Sequence, residues 1–374
     1  MCNIEINRIL NKSKYMRTNN YWIKIKFSQK NSYVKRIDNV PYKNSGEFGD
    51  SFIFKTKEIC IIASRSSIYD RNAILNNTSN SIYQQISKAL LYCYALNLSS
   101  LQLKSISITR KTVRKEEEIV ILRYDKKTQP LHGNITTSIN FDEANLAILL
   151  QEDDKAENFK NILSHWLKGM SSTDRYYKFE RLWRAFEQLS FYGNRISADN
   201  SDFKALRSMR AFFVSNPKYF TQTKNLLSKM SYGELRKFHW RKLILNNYPR
   251  GGKRGVYEGY QNYFVLANTD DRIINLLDET LVLRESELSD YGFITDIRNH
   301  ITYYKQHPQT DNMQLAALLC CKYSYFLRNK MFHGEMVDIT FSFIPNNNDD
   351  ILIDELNKLL GIVTLELINS FNNL

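Results

Sequence analysis

Lys178-Phe179-Glu180-Arg181-Leu182-Trp183-Arg184-Ala185-Phe186-Glu187-Gln188-Leu189-Ser190-Phe191 carries the period that separates the two halves of this chain. Phe179, Leu182, Trp183, Phe186 and Ser190 recur at three- and four-residue steps, which gives a helix one largely apolar, aromatic stripe. The same period continues towards the C-terminus. It predicts helices over Ser201 to Val214, Tyr219 to Met230, Ser231 to Leu245, Arg272 to Leu283 and Met313 to Phe332. Ser231 followed by Glu234 reads as a capping box, and Asp271 as the cap of the helix beginning at Arg272.

N-terminal to that segment the period drops to two. Tyr21-Trp22-Ile23-Lys24-Ile25-Lys26-Phe27 alternates after its first two residues, and Phe52 to Lys57 leads into Ile59-Cys60-Ile61-Ile62. Leu101 to Ile108 alternates cleanly, and Glu118 to Leu122 follows. Short, β-branched, alternating runs are strand signals. Ile82 to Leu96 interrupts them with helical spacing and places Ile82, Ile86, Leu90 and Tyr94 on one stripe. The expected architecture is an α+β domain over residues 1–150, then an all-α helical bundle over residues 155–374. The acidic stretch Gln151 to Asn158 marks the change. Lys111 to Glu118 reads as a solvated turn, and Pro345 to Asp350 as a polar loop.

Composition sets the broad class. With 374 residues the chain is long enough for two cores, and only 13 Gly and 6 Pro favour helices over a sandwich of short strands. No apolar run reaches the length of a membrane span, and Met1 to Glu5 lacks the start of a signal peptide, so a cytosolic protein is expected. The odd number of cysteines, 5, argues against a disulfide framework, and adjacent Cys320-Cys321 has the wrong spacing for zinc and the surroundings of a core pair. His132, His165, His239, His300, His307 and His333 form no HxH or HExxH pattern, so neither a metal site nor a cofactor is expected. The net charge of +13 points to a polyanionic partner, with nucleic acid favoured over a membrane surface.

The candidate chemistry lies in Leu327-Arg328-Asn329-Lys330-Met331-Phe332-His333-Gly334. A bare Arg–His pair at this spacing is expected on the order of once by chance in a chain of this composition. Asn directly after Arg, an aromatic before His, Gly after it and a helical run leading in are what set this one apart. Cleavage of RNA by its own 2′-hydroxyl needs proton transfer and charge stabilisation at the phosphorane. An imidazole titrates near neutrality, so His333 suits the first task, and the guanidinium fork of Arg328 suits the second. Asn329 and His333 are four apart, on one helical face, where Asn329 can orient the imidazole or the phosphate. Arg328 and His333 are five apart and point away from each other, which favours a site completed by a second chain. Gly334 is expected to end the helix. The plainer alternative is that Arg328 binds helix-end carbonyls and His333 is a surface histidine.

This string resembles the RNxxxH signature of the HEPN (higher eukaryotes and prokaryotes nucleotide-binding) superfamily. Phe179 to Phe186 resembles the aromatic early helix of its larger bacterial members. The resemblance covers only the second half of the chain. It implies a helical bundle and a metal-independent endoribonuclease, with Arg328, Asn329 and His333 catalytic and motifs paired across a homodimer. It also implies RNA as substrate, a setting in antiviral defence, abortive infection or a toxin–antitoxin pair, and an antitoxin or phage-derived activator as further partner. Inactive members imply the alternative of a non-catalytic RNA- or nucleotide-binding subunit of a defence complex.

Other residues are candidates for RNA contact. Lys330 lies within the motif, and Arg298-Asn299-His300 repeats the Arg-Asn pair without a histidine at the required spacing. Arg250, Lys253 and Arg254 belong to Tyr248-Pro249-Arg250-Gly251-Gly252-Lys253-Arg254-Gly255, which follows the basic, aromatic Arg236 to Lys242 segment. Cations interleaved with aromatics suit single-stranded nucleic acid, and a solvated basic face is the competing reading. Glu180 and Glu187 flank Trp183, where a carboxylate can orient Arg328 or simply form a surface ion pair.

Overall fold

The computed structural model describes residues 19–98, 101–111, 115–195, 202–333, 344 and 347–374. Cys2, Gly334, the centre of the Lys111–Glu118 run and part of the Pro345–Asp350 loop lie outside the described residues. The chain divides into two compact units, residues 1–136 with 140–171, and residues 137–139 with 172–374.

The first unit is built on six antiparallel strands: β1 (Asn19–Phe27), β2 (Lys35–Pro41), β3 (Gly49–Phe54), β4 (Glu58–Arg65), β5 (Leu103–Lys111) and β6 (Glu116–Arg123). Their order across the sheet is β2-β3-β4-β1-β5-β6. Alternation sorts β1 as expected: Tyr21, Ile23, Ile25 and Phe27 are buried, while Lys24 and Lys26 are exposed. β2 has no sequence signal because it is a polar edge strand. Its pairing with β3 slips between Ile37 and Val40, where Asn39 takes a positive φ of 61°. Gly49 faces that bulge, and a Cβ there would come within 2.3 Å of the Asn39 carbonyl carbon, so only glycine fits.

Helix α1 (Ser81–Asn97) forms where expected, but of the expected stripe only Ile82 and Tyr94 are buried. Gln85 and Ala89 are buried with Ile82, Tyr92 and Cys93, whereas Ile86 and Leu90 are half-buried. The rotation follows from hydrogen bonding: Gln85 Nε2 donates to Val40 O at 3.2 Å and to Asp50 at 2.9 Å, and Lys88 Nζ donates to Gln151 O at 2.7 Å. Asp50 in turn takes Arg65 bidentately, both contacts at 2.7 Å. Helix α2 (Asp154–Met170) corrects the expected boundary. The acidic stretch is its cap and first turn, with Asp153 accepting from Ala156 N at 2.7 Å. Phe159, Ile162, Leu163 and Trp166 of α2 are fully buried, and the helix belongs to the first unit, so the division falls after residue 171 rather than near 150–155.

The second unit is helical. Its main elements are α3 (Arg175–Arg195), α4 (Asp202–Ser215), α5 (Thr221–Leu227), α6 (Trp240–Asn247), α7 (Asp271–Leu281), α8 (Ile294–Gln306), α9 (Ser324–Phe332) and α10 (Asn348–Asn369). α3 buries the whole predicted stripe, Phe179, Leu182, Trp183, Phe186 and Ser190, packing against α10 and α4. A buried carboxylate joins two helices: Glu366 of α10 accepts from Gln222 N at 2.7 Å and Thr223 Oγ1 at 2.6 Å, so α10 caps α5. Burial raises the Glu366 carboxyl above its ordinary range, and these donors oppose that rise.

Four sequence expectations for this unit change. Ser231 to Leu245 is two helices: Tyr232–Leu235 carries the expected capping box, and the chain breaks before α6 because Trp240 N bonds to Phe238 O at 2.8 Å and Trp240 Nε1 to Leu235 O at 2.7 Å. Likewise, a 3-10 turn at Pro217–Tyr219 precedes α5, and the cap of α7 is Asp270 rather than Asp271. Asp270 accepts from Arg272 N and from its side chain, whose guanidinium also binds Leu227 O at 2.8 Å. Met313 to Phe332 is helical throughout but not uniformly α. Asn312–Ala317 passes through a π-helical turn, Leu318–Tyr323, into α9.

Candidate functional site on the Arg-Asn helix

The motif residues occupy the last turns of α9. Leu327 and Phe326 are buried and anchor the helix, Arg328, Asn329 and Lys330 are half-buried, and His333 is exposed. His333 closes the helix, its N–H donating to Asn329 O at 3.0 Å. Its imidazole is therefore presented at a helix end.

Arg328 is held from two sides. Its Nη1 donates to Asn329 Oδ1 at 3.0 Å, and Nη2 lies 3.7 Å from Glu187 Oε1 on α3. The guanidinium also sits 4.9 Å over the Phe332 ring. Its Nε is buried with no hydrogen-bond partner. Of the two carboxylates flanking Trp183, Glu187 meets Arg328, while Glu180 pairs with Arg184 at 2.8 Å. The Asn329 side chain serves the arginine rather than the imidazole. At about 100° per residue, Arg328 and His333 are about 140° apart around α9.

The other candidates have separate surroundings. Lys330 Nζ donates to Asn246 Oδ1 on α6 at 2.6 Å. Arg298 pairs with Glu285, and His300 bonds to Asn268 O at 2.7 Å, so the second Arg-Asn pair is tied into its own neighbourhood on α8. Arg250 is exposed, 3.9 Å from Glu287. Lys253 stands at the N-cap position of the helix Arg254–Gly259 without a side-chain cap bond, and the Arg254 guanidinium lies 4.9 Å over Phe293. Gly251 has a φ of +69°, and Tyr291 Oη donates to Gly252 O at 2.9 Å, which fixes this basic loop as a turn.

Some of the basic charge is internal. Arg210 binds Tyr263 O, Ala267 O and Asn268, Arg272 binds Leu227 O and Met230 O, and Arg284 binds Tyr248 O and Leu245 O. Helix-end carbonyls accept these guanidinium donors inside the unit. Sequence reading missed this use because a buried and a surface arginine look alike in composition. It also missed His239 Nε2 bonded to Asp349, which joins the start of α6 to α10 beside α9. No sequence signal links residues 110 apart.

Cys93, Cys320 and Cys321 are buried. Burial pushes the Cys321 thiol up to about 12, which suits core residues rather than ligands or nucleophiles. Among the described residues, no group of three or more His, Cys, Asp or Glu is disposed to hold a metal ion, and no helix is long and apolar enough to cross a membrane. Comparison with known protein families, curated proteins and solved structures returned no match for this chain.

Proposed function

We propose that this protein is a metal-independent endoribonuclease of HEPN type, acting at Arg328, Asn329 and His333. The reading rests on one observation above all: an exposed imidazole at a helix end, one turn beyond a guanidinium restrained by Asn329 and Glu187. In this reaction a 2′-hydroxyl attacks the adjacent phosphate, the 5′-oxygen leaves, and a 2′,3′-cyclic phosphate remains. His333 moves the proton. Arg328 gathers charge at the phosphorane through the Nη hydrogens its partners leave over. Asn329 and Glu187 hold the fork in place.

The angular separation of Arg328 and His333 favours a homodimer in which each site takes its arginine from one chain and its histidine from the other. RNA is the substrate. Bacterial defence, as an abortive-infection effector or a toxin released by a phage-derived activator or loss of an antitoxin, is the setting the resemblance implies. His333→Ala is expected to lower cleavage of total RNA by at least about 10²-fold while leaving the circular-dichroism spectrum unchanged. Product ends should carry cyclic phosphate, and cutting should persist in EDTA. Undiminished cleavage by His333→Ala would sink the assignment.

A further inference from the structure

A cavity of about 520 Å³ opens beside α9. Phe326 and Leu327 of α9 meet Leu352 and Ile353 of α10 to form its apolar wall. Its polar groups are few and placed together: Lys242 and Asn246 of α6, Lys330 of α9, and the hydrogen-bonded His239–Asp349 pair. His239 is fixed a second time, its backbone N–H donating to Tyr323 Oη at 3.1 Å. An apolar pocket with a few convergent polar groups, of a size within about 300–1,000 Å³, is the usual form of a small-ligand site.

The chemistry of the lining narrows the ligand. A bare metal ion has no use for the apolar wall, and a purely apolar ligand has no use for the cations. Lys242 and Asn246 are one turn apart on α6 and both line the cavity, and Lys330 Nζ reaches Asn246 at 2.6 Å. Lys242 and Lys330 against the single carboxylate of the lining, Asp349, leave the local balance positive. A flat ring with a hydrogen-bonding edge and an attached phosphate satisfies the whole set.

Helical phase places this cavity relative to the motif. Phe326, Lys330 and His333 follow one another at steps of four and three, so His333 continues the stripe that lines the cavity. Arg328 is about 200° from Lys330 around the helix. A chain leaving the cavity past Lys330 therefore meets His333 rather than Arg328 of the same subunit.

We propose that the cavity takes one nucleoside monophosphate unit of the RNA, with its base against Phe326 and Leu352 and its phosphate between Lys242 and Lys330. The identity of the chain as substrate rests on the ribonuclease reading, whereas the cavity's chemistry stands on its own lining. His333→Ala protein, which cuts nothing on that reading, is titrated calorimetrically with AMP, GMP, CMP and UMP in turn. Saturable binding of at least one is expected, weakened about tenfold or more by adding Lys242→Glu and also by adding Asn246→Ala, with circular dichroism unchanged. Binding of none of the four, or equal binding by both added variants, overturns the proposal. A 2′-O-methyl oligonucleotide then separates the two sources of such a ligand. Displacement of the mononucleotide assigns the cavity to RNA, and simultaneous binding of both overturns that assignment in favour of a free nucleotide. Wild-type cleavage of total RNA is read separately, so a protein that binds the nucleotide yet leaves RNA uncut loses the nuclease reading and keeps the cavity.

Discussion

Glu187 shows what a sequence can and cannot reveal about a single side chain. Its position one turn from Trp183 on α3 marks it as a carboxylate able to steady Arg328, and the two lie 3.7 Å apart. That distance is too long for a hydrogen bond and short enough for attraction in a half-buried setting. Glu187→Gln should therefore reduce RNA cleavage by roughly tenfold, about 1.4 kcal/mol, without moving the thermal midpoint much. Single-turnover rates would test it, and an unchanged rate would remove Glu187 from the site. Lys322 offers a test of burial instead. Desolvation, aided by nearby Arg210, lowers its ammonium to about 8, and the group faces the Tyr248 ring and lies beside Cys321. A depressed folded value means that the unfolded chain holds the proton more tightly. This group's contribution to stability is therefore present above its ordinary value of 10.5 and is lost as pH falls towards 8. Lys322→Met should abolish that pH dependence in urea titrations and stabilise the protein at neutral pH. Arg328, Asn329 and His333 were legible as a candidate string through its context, the asparagine directly after the arginine and the aromatic and glycine around the histidine, rather than through spacing alone. Arg210, Arg272 and Arg284 were not, since their partners are backbone carbonyls that leave no mark in sequence.

Elements were legible where one period governed a whole segment. β1, β5, α1 and α3 fall close to their expected positions, and the capping box at Ser231 and Glu234 is present. Helical periodicity could not show that Ser231 to Leu245 breaks, because Trp240 and Leu243 face the core on either reading. Nor could it show which face of α1 is buried, where Gln85 outcompetes Leu90 by finding partners for its amide. β2 escaped because an edge strand can be polar on both faces. The π turn ahead of α9 was equally silent. Its wide turn leaves Ser324 N–H and Ser324 Oγ both donating to Leu319 O, the latter at 2.9 Å. Ser324→Ala should cost about 1 kcal/mol, the ordinary net worth of such a bond, seen as a lower urea midpoint with unchanged slope. A variant as stable as wild type would show that the hydroxyl contributes nothing to this turn.

At the scale of the molecule, several of the excess cations spend their donors inside the helical unit. The net charge of +13 therefore overstates the surface available to a polyanion. The two-unit division was legible from the change of period, and its position was not, because an acidic helix start reads like a linker. The proposed composite site makes its own prediction. Mixing Arg328→Ala with His333→Ala chains under subunit exchange should restore about a quarter of wild-type cleavage, since half the dimers are mixed and each carries one complete site. Two inactive proteins that stay inactive when mixed would rule out a site shared between chains. The π turn carries a further consequence, for length rather than for bonding. A turn of this kind accommodates one residue more than an α-helical turn between flanks that remain coaxial. Losing one residue from Leu318–Tyr323 would leave the motif in phase with α3 and the cavity, whereas losing one from Ser324 to Leu327 would swing the motif by about 100°. The helix thus has a built-in slack point, where the chain can shorten without the motif losing its bearing.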